Sequence, residues 1–196
     1  QAASTQPRSG PGPGSAAAVV GTNLSGLEWA RPGLRHSLSS MPNVHFTVPR
    51  RAEVSYLASQ GFMRNRLPLS WEMLQPMLPG TRANSEARAA IGQPGAFHAG
   101  YASYITGVLD AHAAVGAKCI LDLHNYARYR DFRWQADGSV RGLTVAPHPL
   151  LRPYTRDPGQ TQERIFSLAP EASLTLAHFT DFWLRAAILW RAHPGL

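Results

Sequence analysis

One pattern constrains this chain more than any other: after residue 18 a short apolar stretch, a long polar loop and a segment of helical periodicity follow one another three times. Two strands joined through a helix return parallel to each other, so the alternation predicts an α/β fold with a parallel sheet covered by helices. The first unit has a strand near Val19 to Leu24, a loop through Pro49, and a helix near Arg51 to Gln60. There Val54, Leu57 and Ala58 share a face before Gly61 ends it. The second has a strand at Phe62 to Leu67, a loop from Pro68 to about Phe97, and a helix from about His98 to Val115, closed by Gly116. The third has a strand at Lys118 to His124, a loop to about Pro170, and a helix from about Glu171 to Ala192. Pro170 or Ser173 is expected to start that helix, and His193-Pro194-Gly195 to stop it.

Loops this long are uncommon in compact domains unless they carry function, and each follows the C-terminal end of a strand. In a closed barrel of alternating strands and helices that end is the active-site face, and such a barrel takes about 250 residues. The chain has 196. Residues 1–17 are rich in Pro, Gly, Ser and Ala and have no large apolar side chain to bury. They read as a flexible linker to an upstream binding module or as a plain tail, leaving 18–196 as an incomplete barrel domain. The insertion from about Arg130 to Pro170, with four prolines at 147, 149, 153 and 158, is expected either to wall a cleft or to be disordered.

The strand ends hold the polar groups that need a reason. The two-residue period of Lys118 to His124 puts Ile120, Asp122 and His124 on one face, and Asn125 and Tyr126 follow directly. Taken singly, His124 fits a hydrogen-bonded core histidine better than a functional one. Arg66 closes the preceding strand in the same manner, however, with Trp71 and Glu72 just beyond it. Arg64 shares the face of Arg66, and a lone buried guanidinium is costly, so an ion pair from Arg64 to Asp122 is expected. Asn65 is expected to face the helix layer, in a site that is partly wet. Trp29, Trp71 and Trp134 are candidates for aromatic stacking platforms in a site or for core anchors.

Three segments carry a family resemblance: Gly21 to Trp29 (GTNLSGLEW), Gly61 to Glu72 (GFMRNRLPLSWE) and Ile120 to Tyr129 (ILDLHNYARY). In order and spacing they resemble the first three strand ends of glycoside hydrolase family 5, in its cellulase or endo-β-1,4-glucanase branch. The resemblance implies the N-terminal part, about three βα units, of a TIM (β/α)8 barrel. It implies hydrolysis of β-1,4-glucan with retention, through an acid/base and a nucleophile glutamate about 5 Å apart. It maps the family's strand-two arginine onto Arg66, which would orient the nucleophile and hold it ionised. It maps the strand-three histidine onto His124, which would meet sugar hydroxyls or the site's carboxylates. Asn125 and Tyr126 match the same motif and would support or line the substrate site, as would Trp29 and Trp71.

In the family the two glutamates close strands four and seven, and the helix around Phe179 to Trp183 looks like the one just before strand four. Both glutamates are therefore expected beyond Leu196, and this chain by itself is expected to be inactive. A mannanase or xylanase on the same scaffold, and a non-catalytic carbohydrate-binding piece, remain alternatives. The expected partner is a polysaccharide outside the cell, with the protein secreted, and the open edge of the third strand invites self-association.

Other functions are disfavoured by how the residues are distributed. The formal net charge is +7, yet it comes from scattered arginines with Lys118 the only lysine, which is no footprint for nucleic acid. No apolar run reaches the roughly 18 residues of a membrane span. Eight histidines include no HxH or HxxxH pair, and Cys119 has no CxxC partner, so neither a metal nor a cofactor is expected. Cys119, in an apolar run, reads as a small hydrophobe within a buried strand.

Overall fold

A computed structural model describes residues 19–30, 41–75, 97–131, 133–134, 140–141, 151–153, 162–168 and 174–196; the predicted tail at 1–17 lies outside them. The elements are α1 (Arg51–Ser59), β1 (Arg64–Leu69), α2 (Trp71–Leu74), α3 (Ala99–Ala114) and β2 (Lys118–Leu123). Five short strands follow: β3 (Arg128–Asp131), β4 (Arg133–Trp134), β5 (Val140–Arg141), β6 (Leu151–Pro153) and β7 (Gln162–Ile165). Helix α4 (Leu176–Trp190) comes last. The result is a mixed α/β structure in which β1 and β2 pair in parallel, from Arg64 opposite Lys118 to Leu69 opposite Leu123.

The first expected strand forms only one rung. Arg66 donates its amide to the Thr22 carbonyl at 2.8 Å, and Leu24 donates to the Arg66 carbonyl at 2.8 Å. Val19 and Val20 are exposed. The spatial order is nonetheless the sequential one, residues 22–24 beside β1 beside β2, as successive parallel βα units require. Gly21 lies so close to β1 that a Cβ would fall 1.7 Å from the Arg64 carbonyl oxygen.

Strand β1 runs two residues further than the expected end at Leu67, straight through Pro68. Along a parallel strand successive amides point to opposite neighbours, and Arg66 shows that even-numbered amides face residues 22–24. Pro68 takes the position where that pairing has already ended, so its missing N–H breaks no bond to β2.

Helix α3 buries Tyr101, Ile105, Val108, Leu109 and His112, one stripe at three- and four-residue spacing, and stops at Gly116, whose φ of 68° suits a residue without Cβ. Helix α4 starts at Leu176, later than Glu171, because the Thr175 hydroxyl accepts from the His178 amide and caps it. It buries Phe182, Ala186 and Trp190. The core lies between these helices and one side of β1–β2, with Leu27, Val54, Leu67, Leu69, Leu74, Ile105, Leu109 and Trp190 almost wholly enclosed. Each such side chain contributes about 1.5–3 kcal/mol through removal from water.

Cys119 is buried in β2 as expected, and burial pushes its thiol up to about 12. The described part of the 130–170 insertion forms an antiparallel sheet, β3-β7-β6, and a separate β4–β5 pair. It is rooted by the Phe166 amide on the Ala127 carbonyl at 2.9 Å. At the outer edge of β2, Cys119 donates its amide to the Gly195 carbonyl at 2.7 Å. The Leu121 and Leu123 amides on that edge have no partner among the described residues.

Candidate active site

The in-register pairing of β1 and β2 decides which side chains meet. Asn65, Leu67, Leu69 and Cys119 point to the helices; Arg64, Arg66, Ile120 and Asp122 occupy the other side, where Ile120 is 57% exposed. On this open side Arg66 Nη2 lies 2.6 Å from Asp122 Oδ2 and 2.8 Å from His124 Nδ1. His124 Nδ1 is in turn 2.9 Å from the same Asp122 oxygen. Arg66 Nη1 donates to Asn23 Oδ1 at 2.8 Å, which ties in the first strand segment. Residues from two adjacent parallel strands thus converge on Asp122 Oδ2, and Arg66 links them to the first strand segment. The Arg66 and His124 side chains are 39% and 25% exposed, within reach of a ligand.

The expected ion pair from Arg64 to Asp122 is not formed. Register places Arg64 opposite Lys118 and Asp122 opposite Pro68, four residues further along. At about 3.3 Å per residue the two stand roughly 13 Å apart along the strands. Arg64 is exposed and donates to the Met63 carbonyl at 2.9 Å, so it carries no burial cost that needs a partner. Asp122, which sequence reasoning left as a structural ion for Arg64, is instead the meeting point of Arg66 and His124. The D-x-H spacing, which puts residues i and i+2 of a strand on one face, was the signal for it.

Asn65 does face the helix layer, but its site is fully bonded. Its Oδ1 accepts from the Thr22 amide at 3.3 Å, and its Nδ2 donates to the Phe62 carbonyl at 3.2 Å. Nδ2 also lies 3.2 Å from His112 Nε2. His112 Nδ1 sits 2.8 Å from the Val108 carbonyl, which makes Nδ1 the protonated nitrogen and Nε2 the acceptor from Asn65. Burial lowers the His112 pKa, against the smaller raising effect of the Val108 carbonyl.

The loop after β2 separates the remaining expected residues by role. Asn125 accepts from the Trp71 amide at 2.9 Å and donates to Glu72 Oε2 at 2.7 Å, clamping the loop after β1 to the loop after β2. Tyr126 and Ala127 both adopt left-handed backbone, φ 51° and 56°, a conformation costing on the order of 1 kcal/mol or more per non-glycine residue. This bend brings the Tyr126 hydroxyl 2.7 Å from His124 Nε2, with the rings edge to face at 4.6 Å. Tyr126 is otherwise exposed.

Trp71 departs from the sugar-stacking expectation. It is 2% exposed, its Nε1 donates to Gln75 Oε1 at 2.7 Å, and its ring meets Tyr129 and Phe182. No face is left for a sugar, and Trp71 is the core anchor that its apolar neighbours make it. Trp29 is half exposed, just beyond the first strand segment. The side chain of Trp134 lies outside the described residues. Of the acidic groups, Glu28 accepts from the Ser25 hydroxyl and the Gly26 amide, and Glu72 from Ser70 and Asn125. Glu28 is held within its own loop, and Glu72 takes part in the clamp between the loops after β1 and β2.

No family model matches the chain. Among solved structures, it is similar to the endoglucanase Cel5A of Pseudomonas stutzeri, with 21% identity and a TM-score of 0.51 over 90% of this chain and 38% of that one. The same enzyme in complex with cellobiose matches equally, at 21% identity and TM-score 0.51 over 90% of this chain and 37% of that one. A mutant endo-β-1,4-glucanase from Xanthomonas axonopodis pv. citri matches with 23% identity and a TM-score of 0.51 over 89% of this chain and 38% of that one. The resemblance seen in the sequence thus extends to the fold. The chain spans less than two fifths of the length of these proteins.

Proposed function

We propose that this chain supplies the first three βα units of a family 5 glycoside hydrolase barrel, and with them the arginine–histidine flank of a cleft for β-1,4-glucan. The observation that carries the reading is the convergence of Arg66 and His124, from the ends of neighbouring parallel strands, on Asp122 at the open side of the sheet. Support also comes from the order of the three motif segments and from a fold shared with two bacterial endoglucanases.

In this reading the guanidinium does the electrostatic work. Arg66 spends one Nη1 donor on Asn23 and turns Nη2 to Asp122 and His124, and its Nε and second Nη1 hydrogens have no partner among the described residues. They would receive the nucleophile carboxylate and hold it ionised. Tyr126, held by His124, would meet sugar hydroxyls beside the scissile bond. Both glutamates would come from chain beyond the third unit, so the 196-residue chain would bind sugar without cutting it. A polymer substrate too large to enter a cell would call for a protein secreted outside it.

The test is reducing-sugar release by the full-length gene product on carboxymethyl-cellulose, β-mannan and xylan, beside the 196-residue chain. Fastest release from the glucan by the full-length protein, and none by the short chain, is expected. Faster release from mannan or xylan would move the substrate assignment, and no release from any of the three would reject the hydrolase reading.

A further inference from the structure

The triangle formed by Arg66 Nη2, Asp122 Oδ2 and His124 Nδ1 has sides of 2.6, 2.8 and 2.9 Å, each short enough for a hydrogen bond. Three atoms so arranged cannot all be bonded, and which side goes without decides the chemistry of His124. If Nδ1 were the bare nitrogen, Nη2 would have to donate along two sides at once. Those sides meet at about 60°, whereas the two N–H bonds of an amino group diverge by about 120°, and hydrogen bonds weaken as they bend. Nδ1 would also turn its lone pair on a carboxylate. If Nδ1 carries the proton, both nitrogens donate to Oδ2, and a carboxylate oxygen accepts two donors over a broad range of directions. The contact between Nη2 and Nδ1 is then a consequence of two donors reaching the same oxygen.

From this geometry we infer that Asp122 is the positioning residue of the site: it locks His124 with its proton on Nδ1 and Nε2 bare, and in the same contact holds the Arg66 fork in place. Nε2 then accepts the Tyr126 hydroxyl proton over the 2.7 Å between them. With its only proton committed inward, the exposed Tyr126 oxygen offers a ligand lone pairs alone. The ligand group that the Tyr126 oxygen selects is a hydrogen-bond donor, such as a sugar hydroxyl, and that oxygen gives nothing to an acceptor-only carboxylate or phosphate oxygen, which is left to the Arg66 fork. The preference for a sugar rests on the function proposed above, but the tautomer and its control by Asp122 do not.

The experiment is long-range ¹H–¹⁵N correlation of the histidine side chains in the 196-residue chain at pH 8, with His124 assigned by its loss in His124→Gln. The wild type is expected to show His124 with protonated Nδ1 and bare Nε2. Asp122→Ala and Asp122→Val are each expected to release it to a majority of the Nε2-protonated form. In Asp122→Asn the amide oxygen can take the place of Oδ2 and accept both donors, so the wild-type tautomer is expected to return. A wild-type His124 protonated on Nε2 overturns the proposal without any variant. Retention of the Nδ1 proton in Asp122→Ala or Asp122→Val overturns the role given to Asp122. A sound tautomer result beside a full-length protein inert on all three polysaccharides would reject the hydrolase reading alone.

Discussion

The two sides of the β1–β2 pair are made from the same twelve residues of strand and differ in almost every physical respect. Toward α3, the side chains are apolar or, as with Asn65, bonded at every polar atom, and Asn65, Leu67, Leu69 and Cys119 are shut away from water. On the other side Arg66, Ile120, Asp122 and His124 stand partly in solvent, and their contacts are charge-assisted bonds between half-exposed groups. The first side determines whether the chain folds, because cavities and orphaned polar atoms there cost several kcal/mol. The second contributes little to stability, since exposed ion pairs are typically worth about 1 kcal/mol or less. What it provides is a set of donors and acceptors fixed in place.

The largest expected effect that can break this division comes from the tryptophans. Trp71→Ala should lower unfolding free energy by about 3–5 kcal/mol, as deletion of a buried ring does. Trp29→Ala on the exposed surface should change it by no more than about 0.5 kcal/mol. Urea denaturation followed by circular dichroism reads both, and equal losses would mean that Trp71 is not a core residue.

Next in size is the contrast between two polar residues on opposite sides of the sheet. Asn65→Ala strands the Thr22 amide, the Phe62 carbonyl and His112 Nε2, and should cost about 1–3 kcal/mol in the same titration. Asp122→Ala, on the open side, should cost about 1 kcal/mol or less. The reverse ranking would show that the open side, rather than the helix side, carries the fold.

A smaller effect is the pH dependence that His112 imposes. Its pKa is lowered in the folded protein by burial, so the unfolded chain binds this proton more readily than the folded one. Stability from this group is full above about pH 6.5, the ordinary histidine value, and falls as pH drops from there toward the lower folded pKa. The urea midpoint should therefore decline between pH 7.5 and pH 5, and the decline should shrink in His112→Gln. An unchanged slope in that variant would remove His112 as its source.

Much of this is legible in the amino-acid sequence. Periodicity placed α1, α3 and β2 to within about two residues, and the D-L-H-N-Y run marked the end of β2 as the chemical end. What was not legible lay in register and depth. Asp122 was given to Arg64 because alternation shows which face a residue shares, not how far along a neighbouring strand it sits. Trp71 was open to two readings, since an aromatic ring after a strand end suits a sugar platform and a core alike. The helix packing that encloses it comes from Phe182, over a hundred residues away. Pro68 suggested a strand end, and only the direction of its nitrogen shows why the strand continues.

In the proposed function Arg66 and His124 serve one sugar site, with Arg64 outside it despite sharing their strand face. The most direct measurement is kcat/KM for cello-oligosaccharide hydrolysis by the full-length gene product carrying Arg66→Ala, His124→Ala or Arg64→Ala. The first two should fall by about 100-fold or more, as when a transition-state contact worth about 2.7 kcal/mol is removed. Arg64→Ala should stay within about twofold of the wild type. Full activity in Arg66→Ala and His124→Ala, or an equal loss in all three, would contradict it.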